Sequence, residues 1–184
     1  MALSTSCEMR ITISGLPGSG TTVVAKLLSE ELSMELISAG EMFRRLAADR
    51  SLHLEQFSRL AETEADFDRW IDARQEEEAK KRENVIVEGR LSGFIIRDAD
   101  LKIWLKAPEE IRARRIAARE HITYETALSG MRVRERSEHT RYMRYYGIDL
   151  KDLSGYDLVI DSSRWSERDI VAMITMAKER VRER

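Results

Sequence analysis

The chain has 184 residues, 42% of them apolar, with 31 Lys plus Arg against 33 Asp plus Glu, a formal net charge of −2. That is long enough for one sizeable core and suits one domain better than two, and the near balance of charge excludes a molecule-wide field for nucleic acid or an anionic membrane, so any anion affinity must be local. Cys7 is the single cysteine, which excludes an intrachain disulfide or thiolate cluster and suits a reducing cytoplasm; with no signal-like N-terminus and no apolar run of about 18 residues, a soluble intracellular protein is expected.

The first predicted element is a strand, "MRITIS" (9–14), and it runs directly into Gly15-Leu16-Pro17-Gly18-Ser19-Gly20-Thr21-Thr22. A helix is predicted from Thr21 to Ser33. A glycine-rich turn between a buried strand and a helix lets backbone N–H groups converge on phosphate oxygens at the positive helix end. Thr22 stands where a hydroxyl would hold Mg²⁺. Position 21, where such loops carry lysine, is Thr21. The motif alone leaves two readings open: an ordinary βα turn capped by Thr21, or a nucleotide site whose cation comes from elsewhere. Lys26 does not supply that cation, since five residues along a helix turn it about 140° away, and it reads as a solvated surface lysine.

A weaker strand, "MELIS" (34–38), leads into Ser38-Ala-Gly40-Glu-Met-Phe-Arg44, a turn at Gly40 that enters a helix predicted to end at Asp49. A helical segment over Leu54–Lys81, broken near Glu64, carries Asp68 and Asp72 on one face. Such carboxylates accept from an exocyclic amine such as that of cytosine, or are ordinary surface acids. Phe67 and Trp70 read as core.

The strand "NVIVEG" (84–89) ends in Glu88-Gly89-Arg90. Ligands of open parallel sheets bind beyond the C-terminal ends of the strands, so these residues and Ser38-to-Arg44 fall at the same edge as the glycine-rich loop. Arg90 faces an anion or forms a structural salt bridge. Glu88 fits a Mg²⁺-bound water, because hard cations prefer oxygen, or an anchor for the loop.

After the strand "LKIWLK" (101–106), helices are predicted over Glu109–Glu120, with Pro108 in the first turn, and over Tyr124–Tyr146. From Arg112 to Arg144 there are nine arginines and no lysine, a bias that suits paired binding of phosphate oxygens by the planar guanidinium fork. Arg112, Arg115 and Arg119 share one arc, while Arg132 with Arg136 and Arg134 with Arg141 form same-face pairs. Each single arginine reads equally well as a solvated side chain or a partner of Glu120, Glu135 or Glu138; the cluster reads as a phosphate binder. The last strand is "YDLVIDS" (156–162), and a final helix over Glu167–Arg182 starts from Ser166 with Asp169 as its cap. Short β-rich runs alternating with long helical segments specify an α/β domain with a parallel sheet. The excursions from Gly40 to Arg82 and from Tyr124 to Asp152 are where such a domain carries substrate-covering parts.

Taken together, "SGLPGSGTT", "ISAGEMFR", "VIVEGRLSGFIIRDADLKIWLKAPEEIRARR" and "RYYGIDLKDLSGYDLVIDSSRWS" resemble the nucleoside monophosphate kinases, most closely the shorter, archaeal-type cytidylate kinases, over about Arg10–Arg168. The resemblance implies a single P-loop kinase domain over residues 1–184, with three layers and a five-stranded parallel sheet ordered 2-3-1-4-5. It implies an acceptor-binding region at about 40–82, a lid with its following helix at about 112–150, and transfer of the γ-phosphoryl group of ATP to CMP or dCMP with Mg²⁺.

Carried residue by residue, Gly15, Leu16, Pro17, Gly18, Ser19, Gly20, Thr21 and Thr22 would hold ATP together with Arg115 and Arg119. Ser38, Gly40, Arg44, Gly89 and Arg90 would bind CMP, with Asp68 and Asp72 as candidates for its base. Arg132, Arg136 and Arg141 would join Arg90 around the transferred group, Thr22 and, through water, Glu88 would hold the metal, and Asp161–Trp165 would border adenine. A cytoplasmic monomer without nucleic-acid or membrane partners is expected. Thr21 departs from the lysine usual in P-loop kinases, which keeps a catalytically weak nucleotide-binding regulator open beside a kinase for AMP or UMP; the arginine-rich helices leave a third rival, an RNA-binding module, which the net charge disfavours. The arginine replacing that lysine is expected to arrive with the lid.

Overall fold

The computed structural model describes residues 8–52, 57, 60 and 66–182. Five strands, β1 (Met9–Gly15), β2 (Glu35–Ser38), β3 (Asn84–Glu88), β4 (Leu101–Lys106) and β5 (Leu158–Asp161), form one all-parallel sheet ordered β2-β3-β1-β4-β5. The described helices are α1 (Thr21–Leu32), α2 (Ala39–Asp49), α3 (Asp66–Lys80), α4 (Ser92–Ile95), α5 (Glu109–Glu120), α6 (Tyr124–Tyr146) and α7 (Glu167–Arg182).

β1 lies at the centre, and its apolar run is buried because helices cover both faces of a parallel sheet. On one face Ile11, Ile13 and Ile103 pack with Val24, Ala25 and Leu28 of α1 and with Ile170, Val171 and Ile174 of α7. Behind β3, Ile37, Val85, Val87 and Ile96 enclose Ala79 of α3. Two smaller cores lie away from the sheet: Leu46, Ala47, Phe57, Phe67 and Ile71 join α2 to α3, and Ala113, Ile116, Ala127 and Met131 join α5 to α6. The parallel register pairs Ile13 with Glu88, Ser38 with Glu88 and Gly15 with Leu105. The ends of four strands therefore meet on one rim.

Local expectations hold where the signal is local. Ser166 and Asp169 bond reciprocally, the Ser166 N–H to Asp169 Oδ2 at 3.1 Å and the Asp169 N–H to Ser166 Oγ at 3.2 Å. Lys26 is exposed and pairs with Glu41 at 3.2 Å. Four details differ. Pro108 is the residue before α5 rather than a member of its first turn, its ψ of 148° being extended. β5 starts at Leu158, because Tyr156 turns its ring into edge contacts with Phe94 and Trp104. The short helix α4 has no counterpart among the expected elements. Trp70 is 48% exposed while Phe67 is 9% exposed, because the buried stripe of α3 runs Phe67, Ile71, Gln75, Ala79 and drifts away from position 70. The expected helix start at Leu54 and break near Glu64 lie outside the described residues, as does Cys7.

Candidate active site

The glycine-rich loop connects β1 to α1 as the sequence requires, but its glycines answer to packing as well as to any ligand. Gly18 has φ +80°, and a Cβ there would lie 2.6 Å from the Arg112 carbonyl oxygen. At Gly15 a Cβ would lie 2.5 Å from the Leu105 carbonyl. The loop is thus pressed against the start of α5 and the end of β4. Leu16 packs with the cluster around Trp104, and the Ser19 carbonyl accepts a 2.8 Å bond from Ser162 Oγ. Gly20, with φ +88°, precedes α1, whose first N–H groups have no partner within the helix and are free to meet an anion.

Glu88, at the end of β3, gathers the hydroxyls of the rim. Its Oε1 accepts from Thr21 at 2.7 Å and Thr22 at 3.2 Å, and its Oε2 accepts from Ser38 at 2.6 Å. The residue at the usual lysine position therefore binds a carboxylate. Thr22 and Glu88 together offer the oxygen donors that Mg²⁺ prefers. Among the described residues no cluster of three or more His, Cys, Asp or Glu could hold a metal. The backbone of this strand end is pinned as well: Gln75 Nε2 donates to the Glu88 carbonyl at 2.9 Å. A Cβ on Gly89 would lie 2.9 Å from that of Ala39, so glycine there allows α2 to approach.

Three arginines bond to loop carbonyls. Arg90 donates to Gly15, Arg112 to Pro17 at 3.1 Å and Arg115 to Gly18 at 3.3 Å. Arg112 is 5% exposed and donates also to Ala107 and Glu135; Arg115 is held by the Ser162 hydroxyl at 3.0 Å and carbonyl at 2.7 Å. The cations at the loop come from the exit of β3 and from α5, while the arginines of α6 are engaged elsewhere. Arg132 pairs with Glu109 and Arg141 with Asp68, each at 2.7 Å, and Arg136 is exposed. Arg119, also exposed, bonds its neighbour Glu120 at 2.7 Å. The expected arc of Arg112, Arg115 and Arg119 is real, but burial falls along it as α5 leaves the core.

On the acceptor side Ser38 caps α2 by accepting from the Glu41 N–H at 3.3 Å, and exposed Arg44 brings a guanidinium nitrogen within 3.5 Å of where a Gly40 Cβ would stand. Asp68 and Asp72 are not solvated surface acids. Asp68 accepts from Arg141, and Asp72 accepts from the Tyr146 hydroxyl at 2.7 Å, tying α3 to α6. Burial raises both carboxyls. Asp72 reaches about 7 despite the Tyr146 bond, with Asp68 adding to the rise.

Glu138, also on α6, behaves oppositely: burial pushes it up, but Arg90 and Arg134 outweigh that and hold it at about 2. An open groove of about 450 Å³ along α6 is lined by Arg136, Arg141, Arg144 and Tyr145. Neither Gln75 nor Glu138 is among the site residues expected from sequence, while Arg112 enters only as a member of the arginine cluster and Ser162 only within the Asp161–Trp165 loop. For Arg112 and Glu138 the signal was available, since each is a charge on an otherwise apolar stripe: Arg112 with Ala113 and Ile116, Glu138 with Met131 and Tyr142.

Residues 10–164 match the model of the cytidylate kinase-like family. Among curated relatives, a cytidylate kinase of Methanocella arvoryzae is 52% identical over 169 residues, covering 92% of this chain and 96% of the relative. One of Methanosphaerula palustris is 49% identical, covering 95% and 100%, and one of Archaeoglobus fulgidus is 47% identical, covering 93% and 95%. Shikimate kinase from Bacteroides thetaiotaomicron superposes with a TM-score of 0.65 at 15% identity over 93% of this chain and 98% of its own, and the Aquifex aeolicus one with 0.59 at 18% over 93% and 96%. At such identity these structures attest the fold alone. The loop, the sheet order and this sequence similarity converge: the chain belongs to the cytidylate kinase-like family.

Proposed function

We propose that the protein transfers the γ-phosphoryl group of ATP to CMP, and to dCMP, yielding ADP with CDP or dCDP. The observation that carries this reading is the shared rim, where the Gly15–Thr22 loop, Glu88 and Arg90 meet while Asp68 and Asp72 bond the same α6 that carries Glu138, the partner of Arg90, in a chain whose relatives are named cytidylate kinase.

The loop N–H groups and the N-terminus of α1 hold the ATP phosphates, with Arg115 beside them. Thr22 and, through water, Glu88 would hold Mg²⁺, which when bound would supply charge neutralisation at the phosphates. Ser38, Gly40, Arg44, Gly89 and Arg90 receive the CMP phosphate, and Asp68 and Asp72 accept from the cytosine amine. A CMP phosphate oxygen attacks the γ-phosphorus in line as the bond to the β-phosphate oxygen breaks; the attacking group is already an anion, so no general base is required. Arg90, bonded to the Gly15 carbonyl, bridges the donor and acceptor halves. Arg119, Arg132, Arg136 and Arg141 join the phosphates as the lid region closes, which excludes water and protects ATP from hydrolysis. The protein works as a cytoplasmic monomer.

A coupled ADP-release assay with ATP, Mg²⁺ and AMP, CMP, dCMP, UMP or GMP tests this reading. CMP and dCMP are expected to give the highest turnover. Strongest activity on AMP, or ATP binding without CDP formation, overturns it.

A further inference from the structure

Three of the five N–H groups of Arg90 face acceptors, two of them on Glu138. Nε donates to Glu138 Oε2 at 2.8 Å, one amino nitrogen donates to the Gly15 carbonyl, and the other lies 3.5 Å from Glu138 Oε1. Arg134 donates to the same Oε1 at 2.8 Å. Glu138 is 4% exposed, so one buried carboxylate on α6 joins two arginines, one of them at the rim. Those arginines keep it ionised at working pH. A phosphate grips an arginine through two adjacent N–H groups, and the Nε-side pair of Arg90 is the one that Glu138 occupies.

We propose that Glu138 is a positioning and selectivity residue: its carboxylate holds Arg90 and Arg134 as an internal anion with which the acceptor's phosphate competes for the Nε-side fork of Arg90, so a strongly charged, bidentate anion is favoured. A carboxylate carries one negative charge and the acceptor phosphate close to two, so the exchange favours phosphate and disfavours weaker anions. The i−3 neighbour on α6 provides a contrast. Glu135 also bonds an arginine that donates to the loop, but Arg112 is buried and its fork is shared with the Ala107 and Pro17 carbonyls. That arginine has no route to exchange. The identity of the acceptor rests on the kinase reading; the exchange itself does not.

The test compares the dissociation constant for inorganic phosphate, by calorimetry, and the KM for CMP in the native protein, Glu138→Gln and Glu135→Gln. Glu138→Gln is expected to bind phosphate about tenfold more tightly, with a lower KM for CMP, because two arginines lose their internal anion. Glu135→Gln is expected to change neither. Unchanged or weaker phosphate binding by folded Glu138→Gln overturns the proposal, and so does an equal gain in Glu135→Gln, which would reflect net charge alone. Should Glu138→Gln fail to fold, Glu138→Asp, which keeps the charge but withdraws it by one methylene, is read by the same criterion. Tighter phosphate binding by the variant in a protein that does not phosphorylate CMP would sink the kinase reading and leave the exchange standing; CMP turnover with unaltered phosphate affinity would do the reverse.

Discussion

The two halves of the rim handle charge differently. At the glycine-rich loop, arginine charge is fixed on backbone carbonyls: Arg112 on Pro17, Arg115 on Gly18, and Arg90 on Gly15. On the acceptor and lid side, charge resides in side-chain pairs, Asp68 with Arg141, Asp72 with Tyr146, and Glu138 with Arg90 and Arg134. Carbonyl anchors belong to covalently fixed backbone, whereas a side-chain pair can exchange a partner by rotating. The loop half is suited to holding a phosphate chain in one geometry. The other half is suited to admitting a second substrate and rearranging around it. Arg90 belongs to both.

The sharpest way to break this division is at Arg90. Arg90→Ala is expected to lower CMP turnover about 10³-fold, the upper end for loss of a preorganised donor, with the fold retained by circular dichroism. The variant also leaves Glu138 with one partner fewer, at a cost of about 1–3 kcal/mol in denaturant unfolding. Near-normal turnover would remove Arg90 from the site.

Next comes the rigidity of the loop half. Gly18→Ala forces a side chain into left-handed backbone and against the Arg112 carbonyl, so a loss of about 2 kcal/mol in unfolding free energy is expected from the backbone conformation alone, with weakened ATP binding beside it. Unchanged ATP affinity would mean that the contact with α5 does not shape the loop.

The third comparison is made by pH. The Asp72 carboxyl, raised from 3.8 to about 7, binds a proton in the folded but not the unfolded chain between those values, so it makes stability fall as pH rises through that window. Glu138, lowered from 4.5 to about 2, stabilises the fold above the upper value, and that contribution is lost as pH falls toward the lower one. Asp72→Asn should therefore gain stability over the native protein at about pH 8 relative to about pH 5 in thermal unfolding. An identical difference at both pH values would mean that Asp72 does not titrate in that window.

Legibility in the sequence followed the range of the interactions. The β1–loop–α1 unit, the outward Lys26 and the Ser166 cap depend on residues within a few positions of one another, and each could be read directly. The aromatic character of Trp70 points to the core, whereas the drift of the stripe through Phe67, Ile71 and Ala79 leaves it exposed. The helix α4 has only four residues, too few for a periodic pattern. Arg112, four residues after Pro108, lies where the start of α5 meets Gly18, a contact between separate elements that helical period does not encode.

By itself the sequence determined which residues reach the rim, because Gly15, Ser38 and Glu88 end parallel strands and Arg90 follows one of them within two residues, so the chain direction carries them to the same edge. Only the tertiary structure decided which acid holds which arginine. Arg90 and Glu138 are 48 residues apart, and Asp68 and Arg141 are 73 apart. The strength of such pairs depends on distance and burial between separate elements, which composition and helical period do not encode.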